Sequence, residues 1–258
     1  MRHRFFLGGR DLEMAEIRKL LDRHARDRIE DRHLPWGAKL SQYRDELLAA
    51  ARHDETPVLI ELEDDLPEDA FDRRRAVVVD HHGPRAGANR PTSIEQVFGL
   101  LGLPAADWTR WLSLVAANDR AHVAGMRALG ASPDEITAVR AADRAAQGVT
   151  ERDEAEAVRA IAARRQEGRL TVVETTGTTS SAIADRMLPE LGGPGYRRLL
   201  VRMPDEVAVF ADGEPISRLG ALYPGSWWGG DLPNAGFWGT ALASGRHNAL
   251  DEVIGLLR

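Results

Sequence analysis

Asp80-His81-His82 stands directly after three valines, Val77-Val78-Val79, and just before a chain break at Gly83-Pro84. A carboxylate and two imidazoles in one short stretch supply the O and N donors that a divalent cation takes. Imidazoles also accept and release protons near neutral pH. Such a trio is costly to bury unless a metal ion or an anion compensates it. One histidine alone would read as a satisfied loop residue; two in succession after an aspartate favour a functional reading. Further acids occupy comparable places. Glu61 comes straight after the apolar run Val58-Leu59-Ile60, with Glu63, Asp64 and Asp65 behind it. Asp11 and Glu13 lie just past Gly8-Gly9, and Asp119 lies where the apolar helical pattern of Trp108, Trp111, Leu112 and Val115 runs out. Each acid has a structural alternative, since Asp11 and Glu13 suit the positive end of a helix dipole and acids after a strand often form a solvated turn.

The elements that must hold these residues follow from pattern. Three valines suit a strand buried on both faces, and open parallel sheets gather chemistry at the carboxyl ends of their strands. Arg4–Leu7 reads as a first strand, Gly8-Gly9 as its exit turn, and Asp11 as the start of a helix with Leu12, Ile17, Leu20 and Leu21 on its buried stripe. The loop His33–Lys39 carries Trp36, which either lines a pocket or pins a surface loop. A helix over Leu40–Ala51 leads to a second buried strand from Pro57, and a third covers Ala76–Asp80. Thr92 or Ser93 caps the next helix, and Ser93-Ile94-Glu95-Gln96 fits a capping box. Ser132-Pro133-Asp134-Glu135 and Thr150-Glu151-Arg152-Asp153 open two Ala- and Arg-rich helices, the second ending at Gly168, whose charges read as solvated faces. From Arg169 the composition changes. Strands are expected at Leu170–Glu174, Arg198–Met203 and Glu206–Phe210, a helix at Ser180–Leu188, and a hairpin at Asp212-Gly213 leading to Pro215-Ile216-Ser217. The stretch 227–239 sets four glycines among three tryptophans. It reads either as a loop that lets backbone approach a ligand or as a Gly-rich hairpin whose tryptophans belong to the core. An amphipathic helix closes the chain over 247–257.

Composition narrows the chemistry. A chain of 258 residues with 43% hydrophobic and 29% charged residues is long enough for one large or two small globular domains. It has no cysteine, so disulfides, thiolate metal sites and a Cys nucleophile are excluded, and any metal must take N and O donors. The net charge of -6 argues against binding long nucleic acid. The N-terminal apolar run is too short for a signal peptide and no stretch is long enough to span a membrane, so a cytoplasmic protein without membrane partners is expected.

On Val77-Val78-Val79-Asp80-His81-His82, the following helix with Glu95, and the later Asn118-Asp119, the chain resembles the DHH phosphoesterases. That family includes RecJ-like exonucleases, nano-RNA hydrolases, cyclic-dinucleotide phosphodiesterases and family II pyrophosphatases. Gly229-Gly230-Asp231-Leu232-Pro233-Asn234-Ala235-Gly236-Phe237 is similar to a shortened form of the substrate-gripping loop in the family's DHH-associated domain. The resemblance implies an α/β fold, with a parallel-sheet DHH domain over 1–130, a helical linker over 131–168, and a smaller α/β DHH-associated domain over 169–258. It implies up to two divalent ions, usually manganese, with magnesium or another divalent ion open. Carried over residue by residue, the ligands are Asp11, Glu13, Glu61 (or Glu63), His81 and Asp119. Asp80 and His82 would orient the site and face the phosphate, so that Asp80, His81 and His82 form the catalytic set. Substrate contacts fall to Gly229, Gly230 and Asn234, with Arg202, Arg218 or Lys39 as phosphate partners on charge grounds. The chain departs from the family at Gly9, where the first motif has His, at Glu13 and Glu61, where it has Asp, and at Leu232, where the loop has His. Loss of that imidazole would weaken the first metal site or invite a substitute, with His33 and His122 as the candidates. The expected activity is metal-dependent hydrolysis of a phosphodiester or phosphoanhydride bond in a small nucleotide or short oligonucleotide, with a homodimer left open. The competing expectation is a catalytically degraded DHH-fold protein that binds a nucleotide or a protein partner.

Overall fold

The computed structural model describes residues 2–82, 90–230, 232, 234–242 and 247–258. The glycine- and proline-rich loop after His82, expected over 83–91, falls mostly outside the described residues, as do Asp231 and Pro233. The chain divides into two compact units, Met1–Gln147 and Gly148–Arg258.

The first unit is built on a parallel sheet. Its strands β1 (Arg2–Leu7), β2 (Ile29–Glu30), β3 (Glu55–Ile60) and β4 (Val77–Val79) lie in the order β2-β1-β3-β4. In register, Leu7 lies opposite Ile60 and Ile60 opposite Val79. Strands β1, β3 and β4 therefore end level, and Gly8, Glu61 and Asp80 emerge side by side at one carboxyl edge. The valine run does not have the two buried faces expected of it: Val78 is 43% exposed while Val79 is buried. The reason is position, because β4 pairs only with β3 and forms the sheet's edge among the described strands. Helices α1 (Leu12–His24), α2 (Arg44–Arg52), α3 (Ser93–Leu100), α4 (Arg110–Ala128) and α5 (Pro133–Ala146) complete the unit. Leucines and isoleucines at helical spacing bury one face of α1 at Leu12, Ile17, Leu20 and Leu21. The capping box of α3 uses Thr92 with Glu95 rather than Ser93 with Gln96, which frees Ser93 for another contact. Helix α4 breaks at Ala121 and His122, the latter at φ 52°, two residues beyond Asp119. The stretch 131–168, expected as a linker, is divided between the units. Helix α5 lies within the first, and α6 (Glu151–Ala162) within the second.

The second unit carries a mixed sheet of β5 (Arg165–Glu167), β6 (Leu170–Glu174), β7 (Arg198–Arg202), β8 (Glu206–Ala211), β9 (Trp227–Gly229) and β10 (Gly236–Ala241), in the order β5-β6-β7-β8-β10-β9. Its helices besides α6 are α7 (Ser181–Met187), α8 (Gly213–Leu222) and α9 (His247–Leu257). Asp212-Gly213 does not make the expected hairpin. Asp212 precedes α8, Pro215 sits in the helix's first turn, and Ile216 and Leu219 bury against the sheet with Trp238. The stretch forms the Gly-rich hairpin, β9 pairing antiparallel with β10, but of its tryptophans only Trp238 belongs to the core, Trp227 being half-buried and Trp228 46% exposed. Trp238 is fully buried, and a Cβ at Gly239 or Gly220 would lie 2.5 Å from Trp227 or Trp228.

The two glycines after β1 are dictated by close approach. A Cβ at Gly8 would fall 2.5 Å from the carbonyl oxygen of Glu61, and one at Gly9 would fall 2.8 Å from Cα of Trp36. Both obstacles are backbone, which cannot swing aside. Gly8→Ala is expected to cost about 1–3 kcal/mol of stability, the usual penalty for overpacking, read as a lower denaturant midpoint in urea unfolding. An unchanged midpoint would mean that the Glu61 turn yields easily.

Candidate metal centre

Asp11 precedes α1 in extended backbone, and its side chain accepts a hydrogen bond from Met14 N at 2.7 Å. The dipole reading of Asp11 is thus present in the structure, as an N-cap. Glu13 lies two residues on, in the first turn of α1. It is 2% exposed, and its Oε1 accepts from Ile94 N of α3 at 3.0 Å. Glu61 leaves β3 at φ 50°, a left-handed conformation unfavourable for a residue with a Cβ, and is tied to β4 by donation from its N to Val79 O at 2.9 Å. That turn directs its carboxylate back toward the histidines. Glu61 Oε1 lies 3.7 Å from His81 Nδ1 and 3.6 Å from His82 Nδ1.

His81 is buried and stands at the middle. Its Nδ1 is 3.4 Å from Ser93 Oγ and 4.0 Å from Glu13 Oε2, and its Nε2 meets Asp119 Oδ2. His82 packs beside it, ring centroids 4.2 Å apart, with half its side chain in solvent. Asp80 Oδ1 accepts from His82 N at 2.8 Å, so Asp80 braces the turn that carries both imidazoles. One ligand atom each from Glu61, His81, His82 and Asp119 lies within 4.8 Å of the others. Such a group of N and O donors matches the taste of a divalent ion such as Mn or Zn.

The electrostatics point the same way. Burial, reinforced by the charges of Glu61 and Asp119, pushes the Asp11 carboxyl well above the usual range, and burial with Asp119 and Glu61 does the same to Glu13. Burial and then Asp119 raise Glu61. His82 is raised to about 9, chiefly by its hydrogen bond to Asp80. Buried carboxylates that repel one another need a cation. Two of their oxygens, Glu13 Oε2 and Glu61 Oε1, are buried with no hydrogen-bond partner. A metal ion fits this set on that ground. Glu13→Gln keeps the acceptor for Ile94 N and removes one charge. In EDTA near pH 8 it is expected to raise the melting temperature by about 2–4 °C, the response to ~1 kcal/mol, while weakening divalent-ion binding. A lowered melting temperature would mean that the Glu13 charge is already compensated within the protein.

The fold that carries this centre has known counterparts. No family model and no curated protein matches the sequence. A solved DHH-domain member of the s1p family of ribosomal proteins is 14% identical, with a TM-score of 0.57 over 98% of this chain and 86% of that one. The chain has the DHH fold. RecJ from Thermus thermophilus, solved in complex with Mn2+, is similar at 14% identity and a TM-score of 0.53, over 98% of this chain but 51% of its own, so the chain spans about half the length of that protein.

Within the first unit the structure brings Asp11, Glu13, Glu61, His81, His82 and Asp119 together. Glu63 is largely exposed and its Oε2 lies 3.5 Å from Lys39 Nζ. Neither His33, whose exposed ring lies 3.4 Å from Asp31, nor His122 in the α4 break belongs to the group of mutually close ligand atoms. Gly9 is closed off by the backbone of Pro35 and Trp36. Trp36 itself is 66% exposed. Arg202 ends β7 opposite Glu174 and Val207, Arg218 is exposed on α8, and Gly229 and Gly230 lead out of β9, with Asn234 exposed beyond them. Leu232, at the family's loop His, packs against the core that holds Trp238.

Sequence reading missed one group altogether. The charges of α5, expected on a solvated face, include Arg140 and Asp143, which are 4% and 6% exposed. The signal was in the spacing. Ile136, Val139, Arg140 and Asp143 fall at i, i+3, i+4 and i+7, a core-facing stripe whose last two positions are charged.

Proposed function

We propose that the protein is a metal-dependent phosphoesterase that hydrolyses a phosphodiester or phosphoanhydride bond in a small nucleotide or short oligonucleotide. The observation that carries this reading is the convergence of Glu61, His81, His82 and Asp119, backed by Glu13 and Asp11, at the carboxyl edge of a DHH-fold sheet. Manganese is the ion favoured, in line with its presence in the RecJ structure of the same fold; magnesium is the alternative. A divalent ion at this centre supplies a water ionisable near neutral pH and offsets charge on phosphoryl oxygens.

The protein's own residues have separable parts in this scheme. Glu61, His81 and Asp119 hold the ion from three different elements, and Asp11 and Glu13 extend the carboxylate wall for a second ion. His82, half exposed and with its Nδ1 3.4 Å from Asp80 Oδ1, faces the phosphate as a hydrogen-bond donor. Gly229, Gly230 and Asn234, with Arg202 or Lys39, are the proposed substrate contacts. The net charge of -6 favours a small substrate over long nucleic acid. No described helix is long and apolar enough to cross a membrane, and a cytoplasmic location belongs to the proposal.

A second reading, a DHH-fold binder without turnover, is favoured by one observation: the backbone of Pro35 and Trp36 leaves no room for a side chain at Gly9, the position that the resemblance matches to the family's first imidazole. Metal analysis of the purified protein, paired with a hydrolysis screen over linear dinucleotides, cyclic dinucleotides and pyrophosphate, separates the two. Bound Mn with turnover of at least one substrate supports the enzyme. Failure of every substrate with Mn present sinks it.

A further inference from the structure

Helix α5 contributes no group to the acid cluster, yet it places a buried ion pair directly behind it. Arg140 Nη1 donates to Asp143 Oδ2 at 2.6 Å and to Asn118 Oδ1 at 2.9 Å. Asp143 Oδ1 accepts from Leu12 N at 3.1 Å, and Asp143 Oδ2 also accepts from Gln147 Nε2 at 3.2 Å. All three principal residues, Asn118, Arg140 and Asp143, are buried.

The two ends of this chain of bonds are informative. Leu12 is the residue between Asp11 and Glu13, and its N–H is one of the donors that a helix start leaves without an intrahelical acceptor. Asn118 is the neighbour of Asp119 on α4, just before that helix breaks at Ala121. A carboxylate buried close to other carboxylates adds repulsion, so Asp143 would be a poor choice merely to fasten α5. Apolar packing would fasten it better. Its two oxygens instead join the start of α1 to a guanidinium that grips α4.

We propose that Arg140 and Asp143 are positioning residues that fix the spacing between Asp11 and Glu13 on α1 and Asp119 on α4, and so set the affinity of the centre for a divalent ion. This rests on the metal reading above. Neither residue touches the ion. Outer residues that orient metal ligands commonly change affinity 10- to 100-fold, about the effect expected here.

The test uses the full chain and Mn2+ alone. Arg140→Met with Asp143→Asn removes both charges together and keeps an acceptor for Leu12 N. Asn118→Ala cuts only the branch toward Asp119. Mn2+ affinity is measured by the loss of the free-ion EPR signal, the bound-ion line shape by EPR at low temperature, and folding by melting in EDTA. Each variant that folds is expected to bind Mn2+ about 10- to 100-fold more weakly, with an altered line shape and a metal-free melting temperature close to wild type. Arg140→Lys, which keeps a charged donor, is expected to recover part of the affinity. A wild-type Kd and line shape in the folded variants overturn the inference. If the pair variant does not fold, Asn118→Ala alone decides it by the same criterion. Wild-type protein that binds no Mn2+ overturns the metal reading itself, and the inference with it, an outcome seen in the wild-type arm before any variant is compared.

Discussion

His81→Ala is expected to abolish metal-dependent hydrolysis and to weaken Mn2+ binding by more than about 100-fold. That bound follows from magnitude: losing residues that merely orient a ligand costs 10- to 100-fold, and His81 is the group on which the cluster converges. Its Nε2 meets Asp119, and its Nδ1 lies within 4.0 Å of both Glu13 and Glu61. Removing it deletes a donor and leaves three carboxylates facing one another without an imidazole between them. The half-exposed His82 supplies the contrast. His82→Ala should leave most of the Mn2+ affinity and lower kcat/KM through a raised KM, as its place toward the phosphate requires. Calorimetric titration with Mn2+ and steady-state kinetics on the substrate found for the wild type give the two readouts. Retained turnover in His81→Ala, with near-UV circular dichroism unchanged, would remove His81 from the chemistry.

The second large effect is on stability, and its sign changes with the metal. In the metal-free protein, burial and mutual repulsion raise Asp11, Glu13 and Glu61 above their ordinary values, so the folded state holds protons that the unfolded chain has lost. Stability from these groups therefore falls as pH rises above about 4, the ordinary carboxylate value. His82 adds to the trend. Its contribution is fully present below 6.5 and is lost as pH rises through about 9. A divalent ion needs the carboxylates ionised, so its binding strengthens over the same range. At 100 times Kd a ligand adds about 2.7 kcal/mol, or about 5–10 °C in melting temperature for a unit of this size. Melting in EDTA should thus decline from pH 6 to 8 while melting in excess Mn2+ holds or climbs. Parallel curves would mean that the acids do not bind the ion.

Much of this is legible in the sequence because strand ends and helix starts carry local signals. Val58-Leu59-Ile60 followed by Glu61, and the valine run followed by Asp80, announce where the sheet stops, and level strand ends then bring those acids together. What the sequence conceals depends on neighbours. Whether Val78 is covered depends on β4 being an edge strand. Whether Asp212-Gly213 turns or starts a helix depends on the burial of Ile216 and Leu219. Arg140 and Asp143 look like surface charges until α4 and the start of α1 are packed against them.

The turn at Gly9 bears on how this chain could change. The imidazole that the resemblance would place here reads, in one dimension, as a single substitution away. In three dimensions the space for that side chain belongs to Pro35 and Trp36, whose backbone a Cβ would meet at 2.9 and 2.8 Å. Gly9→His would therefore have to be preceded by a rerouting of residues 33–39, and each step alone is unfavourable. A designer wishing to rebuild the family's ligand would do better to transplant the loop and the residue together. The same obstacle blocks introduction of that side chain in a single step.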